Sequence, residues 1–186
     1  MNSLVSLAKA VVENYIKKDE IISLPKDFPQ KFLNNQAGVF VTISKIQNQK
    51  QNLRGCIGTY LPTRKNIAEE TIYNAIAAAT KDYRFKPIQK EELPYLCYKV
   101  YILNKPELVK DFKELDPKKY GIIVKTIPLS KKNDVYFVSK SGLLLPGLKE
   151  IDTIEKQICL ACQKASIDLE KEKILIYRFT VTCQKE

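Results

Sequence analysis

Gly38-Val39-Phe40-Val41-Thr42-Ile43-Ser44 and, beyond the polar run from Asn48 to Asn52, Leu53-Arg54-Gly55-Cys56-Ile57-Gly58 decide the fold. Val39, Val41 and Ile43 alternate with Phe40, Thr42 and Ser44, the period of a strand with one face in a core. The polar run is a turn signal, so strands over 38–46 and 53–60 are predicted to pair as a hairpin with an exposed, glutamine- and lysine-bearing tip. In the second strand, Leu53 and Ile57 are expected to face the core, leaving Arg54, Cys56 and Gly58 on the other face. A guanidinium beside a thiol favours the thiolate, and the glycines Gly55 and Gly58 would let a ligand approach the backbone. The same residues also fit a plain packing role, because strand glycines mark bulges or close contacts and buried cysteine is common.

Working outward, three amphipathic helices appear. Residues 4–18 carry Leu4, Leu7, Ala8, Val11 and Tyr15 on one face, with Ser3 as N-cap. Residues 67–80 follow Asn66, with Glu69 completing a capping-box variant, and present a small face of Ala68, Ile72, Ala75, Ile76 and Ala79. Residues 153–167 start at Asp152 with Glu155 as reciprocal cap and a stripe of Ile154, Ile158, Ala161, Cys162 and Ala165. Residues 20–36, with Pro25 and Pro29, read as a loop. Further strands are predicted over 95–103, 120–126 and 174–183, and a hairpin of 135–140 with 143–148 around Ser141-Gly142. Hairpins interspersed with helices, too closely spaced for regular βαβ crossovers, predict an α+β domain of antiparallel sheets packed against three main helices. At 186 residues this is a single domain, in the form of two lobes sharing one core. No internal repeat, long linker or low-complexity tract is visible in the sequence.

Composition narrows the chemistry. Without histidine, Cys-His and Ser-His dyads and imidazole-ligated metals are excluded, so proton transfer would fall to Asp, Glu, Lys, Tyr or Cys. Five cysteines at 56, 97, 159, 162 and 183 are an odd number, and Lys9 and Glu13 interrupt the N-terminal apolar stretch, so reduced thiols and a cytoplasmic setting are expected. No run approaches the ~20 apolar residues of a membrane span. Cys159-x-x-Cys162 lies inside a helix rather than opening one, and reads as packing. Cys97 and Cys183 lie on strands as small core or edge residues, and Gly142 to Gly147 reads as a core strand and turn. No metal ligand set or cofactor is expected. The net charge of +10 comes from lysines spread along the chain, which reads as a solvated surface; a basic nucleic-acid-binding regulatory module is the alternative, although no recognition motif supports it. Asp82-Tyr83-Arg84-Phe85 places an acid, an arginine and two aromatics in one loop. It fits either a planar or anionic ligand, or a loop pinned by an Asp82–Arg84 contact with Phe85 buried.

These segments, in order, resemble the AMMECR family. The resemblance spans nearly the whole chain: Gly38 to Thr42, Leu53 to Gly58, Asn74 to Ala79, Asp82 to Pro87, Glu91 to Pro94, Tyr120 to Val124, Gly142 to Pro146 and Tyr177 to Phe179. It departs at Cys159, since only Cys162 of the C-x-x-C pair matches. The resemblance implies a two-lobed α+β fold with a cleft near Arg54–Gly58. It also implies company with a Memo-type protein and a radical S-adenosylmethionine enzyme, in the AmmeMemoRadiSam system. The resulting expectation is an accessory or enzymatic component acting through that cleft. As an enzyme it would use Cys56 as nucleophile, Arg54 as thiolate or anion stabiliser and Asp82 as acid or base. As a binding module it would use Arg54, Arg84 and Phe85 for recognition, and Gly55 and Gly58 for close approach.

Overall fold

The computed structural model describes residues 3–25, 27–127 and 139–185 and resolves the alternating segments into two four-stranded sheets, one in each of two compact units. The first unit runs to Leu103 and takes in the chain from Thr182; the second is Asn104–Val181. Helix α1 (Leu4–Lys18) is capped by Ser3, whose side chain accepts the Ser6 N–H, and buries Leu4, Leu7, Ala8 and Val11 as the stripe predicted. A short α2 (Gln30–Leu33), absent from the sequence reading, interrupts the predicted loop and buries Phe32. Strands β1 (Val39–Gln47) and β2 (Lys50–Thr59) form the predicted hairpin. Its two turn residues, Asn48 and Gln49, both adopt positive φ, at 51° and 60°, the backbone of a tight hairpin turn. Helix α3 (Ile67–Thr80) matches its predicted bounds and cap, and packs on α1, β1 and β2. Strand β3 (Leu96–Leu103) follows a 3₁₀ turn over Lys90–Tyr95.

The second unit holds β4 (Glu107–Leu108), β5 (Gly121–Thr126), β6 (Ser141–Leu144), α4 (Ile154–Lys164) and β7 (Ile174–Phe179), while β8 (Val181–Lys185) returns to the first sheet. Three sequence expectations change here. Ser141 and Gly142 are not a turn: they lie in β6, opposite Lys125 and Val124 of β5, and residues 135–138 of the predicted hairpin lie outside the described residues. Helix α4 is capped by Thr153 rather than Asp152, and it stops at Lys164 because Ser166 turns to φ 54°. The predicted strand 174–183 is two strands in different sheets. They break at Thr180, whose carbonyl and hydroxyl oxygens accept hydrogen bonds from the backbone N–H and side-chain amide of Asn104.

The two units repeat one topology that the sequence does not betray. In the first, β1-β2-α3-β3 forms a sheet ordered β2-β1-β3-β8; in the second, β5-β6-α4-β7 forms β6-β5-β7 with β4 outside β7. Each unit has its own apolar cluster, one built around Val41, Val100 and Ala75, the other around Ile122, Val124 and Ala161. Even the close contacts correspond. Gly55 of β2 lies against the Ala78 carbonyl of α3, and Gly142 of β6 against the Ala161 carbonyl of α4, each so tightly that a Cβ would collide with the oxygen. Among the described residues, no helix is long and apolar enough to cross a membrane.

Candidate functional site

A β-bulge decides which way Cys56 faces. From the hairpin turn the register runs Gln47–Lys50 to Ser44–Leu53, then skips Arg54, so that Ile43 pairs with Gly55 and Thr42 with Cys56. Val39, Val41 and Ile43 are fully buried, which sets Thr59, Ile57 and Gly55 on the helix-packed face. Cys56, Gly58 and Leu53 therefore share the opposite face, and Leu53 is 42% exposed rather than in the core as its alternation with Ile57 predicted. Arg54, as the extra residue, leaves the alternation. Its guanidinium makes a two-pronged contact with Glu92, at 2.9 and 2.8 Å, instead of standing free for the thiol. Lys45 adds a third contact to the same carboxylate at 3.2 Å. Glu92 is thereby held at a pKa of about 2, with Arg54 the main cause.

The thiol face is a row of polar side chains. Cys56 Sγ lies 3.2 Å from Thr42 Oγ1, and Thr42 in turn pairs with Lys99 of β3. The Cys56 N–H points away from β1, so Thr42 and Cys56 form the pair type in which side chains stand closest. One step along the strands, Tyr101, Phe40 and Gly58 form the next row. Tyr101 is pushed up to about 12, by burial first and then by Cys183, to which it hydrogen-bonds, so its phenol stays neutral. Cys56 and Cys97 are half-buried, while Cys183 is exposed.

The Asp82–Phe85 loop braces the edge of β2. Asp82 is 4% exposed; its Oδ2 accepts the Cys56 N–H at 2.8 Å, and its two oxygens take Arg84 Nε at 2.9 Å and Nη2 at 2.6 Å. The Arg84 side chain holds Asp82 down at about 2, so it is ionised and fully engaged at neutral pH, without a proton to give. The Asp82–Arg84 contact of the pinned-loop reading is present, but Phe85 is half-buried rather than buried. The guanidinium groups of Arg54 and Arg84 both lie against the Phe85 ring, 5.8 and 5.4 Å from its centre. Arg84 also lies within electrostatic range of Cys56. The space beside both glycines is filled by the protein itself: Ala78 occupies that of Gly55, and Phe40 that of Gly58.

The sequence reading missed three contributors. Thr42 and Lys99 join the site through register alone, which the bulge makes unreadable from alternation. Glu70 is 1% exposed and gathers Thr59, Thr63 and the Arg64 N–H, tying β2's end to the following loop. In sequence it falls on the side of the helix away from the Ala68, Ile72 and Ala75 face, so periodicity gave no sign of it. Among the described residues, no group of acids and cysteines is arranged to hold a metal ion.

Comparison with known proteins places this architecture. The AMMECR1 family model matches residues 5–184. A protein of Thermotoga maritima is 44% identical over 177 residues, covering 95% of this chain and 94% of its own. A Clostridium acetobutylicum protein is 39% identical over 98% of this chain, which spans only 36% of that protein's length. The crystal structure of an uncharacterised protein from Pyrococcus horikoshii superposes with a TM-score of 0.81 at 30% identity, over 98% of this chain and 94% of that one.

Proposed function

The chain belongs to the AMMECR1 family, and we propose that it acts as an accessory module, binding a small ligand or a protein partner through the Cys56 face of its first sheet rather than catalysing alone. One observation carries this reading: the two carboxylates bonded to Arg54 and Cys56 are already consumed internally, Asp82 by Cys56 N–H and Arg84, and Glu92 by Arg54 and Lys45. The thiol contacts a threonine hydroxyl at 3.2 Å, and among the described residues no carboxylate is hydrogen-bonded to it as a base. In this reading Cys56 and Thr42 contact the bound group, Arg84 supplies attraction for an anion, and Arg54, Gly55, Gly58 and Asp82 hold the strand in place. Phe85 keeps both guanidinium groups in position. The companions proposed from the family resemblance are a Memo-type protein and a radical S-adenosylmethionine enzyme, in the cytoplasm, where all five cysteines remain thiols.

The test is to reconstitute those companions with Cys56→Ser and Cys56→Phe variants, checking by thermal melting that each is folded. Recognition requires Cys56→Ser to keep most of the partner-dependent activity and Cys56→Phe, which fills the face, to lose it. A nucleophilic Cys56 would instead make Cys56→Ser as inactive as Cys56→Phe. Full activity in both variants would remove this face from consideration.

A further inference from the structure

The same sheet face continues into a small pocket that nothing in the motif reading anticipated. A cavity of about 240 Å³ is lined by Gln51, Cys97, Tyr98, Lys99 and Lys185. Lys99 pairs with Thr42 and so lies on the thiol side of the sheet. Lys185 is placed there too, because Gln184 beside it turns the other way, its Oε1 accepting the Leu4 N–H at the start of α1. Neither lysine has a carboxylate partner among the described residues, whereas Lys45 and Lys140 elsewhere are paired. Two ammonium groups without a carboxylate partner among the described residues line the same cavity, and an anion placed between them is attracted by both.

We infer that this pocket binds the phosphate of a small phosphorylated molecule, with Lys99 and Lys185 as its two cationic contacts. Lysine suits a phosphate as a compact charge with three rotatable donors. A cavity of this size holds a phosphate with room for part of the group that carries it, and the rest of the molecule extends along the sheet face. Lys99, Thr42 and Cys56 occupy three neighbouring strands in one row, spanning two strand spacings, about 10 Å. A ligand anchored at Lys99 and Lys185 therefore reaches the thiol with its unphosphorylated end. The inference deepens the proposed function and rests on it only for the direction in which the ligand extends.

Inorganic phosphate is the probe, titrated by calorimetry into the full chain at low ionic strength, with acetate as the control anion. Saturable phosphate binding is expected, weakened roughly tenfold by Lys99→Gln and by Lys185→Gln, since a charge-assisted hydrogen bond is of that order. Cys56→Ala should bind phosphate as the wild type does. Equal affinity for acetate, wild-type affinity in both lysine variants, or no saturable binding at millimolar phosphate would each overturn the inference. Melting temperatures confirm that the variants are folded, Lys185 being exposed and Lys99 half-buried. Lysine variants that keep partner-dependent activity while Cys56→Phe loses it would sink the phosphate site and leave the Cys56 reading standing. The opposite pattern would sink the Cys56 reading alone.

Discussion

Asp82 Oδ2 accepts the backbone N–H of Cys56 at 2.8 Å, so a buried carboxylate from the loop after α3 occupies the outward-facing donor of an edge strand. An unpaired N–H at that place would invite another strand; here it is spoken for. The same carboxylate grips Arg84 twice. Replacing it should therefore disturb the strand carrying the thiol as well as the loop. Asp82→Asn is expected to lower unfolding free energy by about 2 kcal/mol in a urea titration, with Arg84→Gln costing less because that guanidinium is partly solvated. Equal stability of Asp82→Asn and the wild type would show that the brace contributes nothing.

Acid should dismantle both carboxylate anchors in one pH window. Asp82 falls from 3.8 to about 2 and Glu92 from 4.5 to about 2 on folding. Both folded values lie below the unfolded ones, so their stabilisation is complete above about pH 4.5 and disappears as pH falls towards 2. Stability measured from pH 6 to pH 3 should decline, and the decline should be visibly shallower in the Asp82→Asn, Glu92→Gln double variant. Parallel slopes would contradict the assignment.

Gly55→Ala and Gly142→Ala should behave as a matched pair. Each drives a Cβ into a helix carbonyl, of Ala78 and of Ala161, and carbonyls of a packed helix yield little. A loss of about 1–3 kcal/mol from each is expected by denaturant midpoint, in the range of overpacked cores. Neutral outcomes would mean that the helices can lift off their sheets.

Alkylation under native conditions should sort the thiols by exposure. Cys159 and Cys183 are exposed, Cys56 and Cys97 half-buried, and Cys162 is 2% exposed with burial pushing its thiol up. Mass spectrometry is expected to find Cys159 and Cys183 modified first and Cys162 last. Thr42→Val should alter the rate at Cys56 and leave that at Cys159 unchanged, since Thr42 contacts only the former. A Thr42→Val variant with unaltered Cys56 kinetics would refute that coupling.

Much of the fold was legible because its signals are local. Caps at Ser3 and Asn66, the small face of α3 and the alternation of β1 each depend on a few neighbouring residues, and all hold in the structure. The site was legible only as a segment. Counting back from the Gln47–Lys50 end without a skip would set Cys56 opposite Val41 and bury it; one extra residue at Arg54 turns it out beside Thr42. Simple alternation found the outward cysteine but put Leu53 in the core and gave Arg54 a place in the alternation that the bulge removes. The Asp82–Arg84 contact was within reach, being two residues apart, whereas Arg54–Glu92 links positions 38 apart and has no local signature. The break at Thr180 was hidden for a similar reason, since β-propensity runs on unbroken from one sheet to the other.

The repeated topology gives the molecule an internal control. Gly142 takes the place of Gly55, so Leu143, Ile123 and Tyr177 stand where Cys56, Thr42 and Lys99 stand in the first sheet. One backbone scaffold thus carries a polar row in one copy and an apolar row in the other. Leu143→Cys would install a second thiol at an equivalent position but with isoleucine and tyrosine as neighbours. Any difference in reactivity between that thiol and Cys56 would isolate what the surrounding side chains add, with strand, helix and glycine held in common.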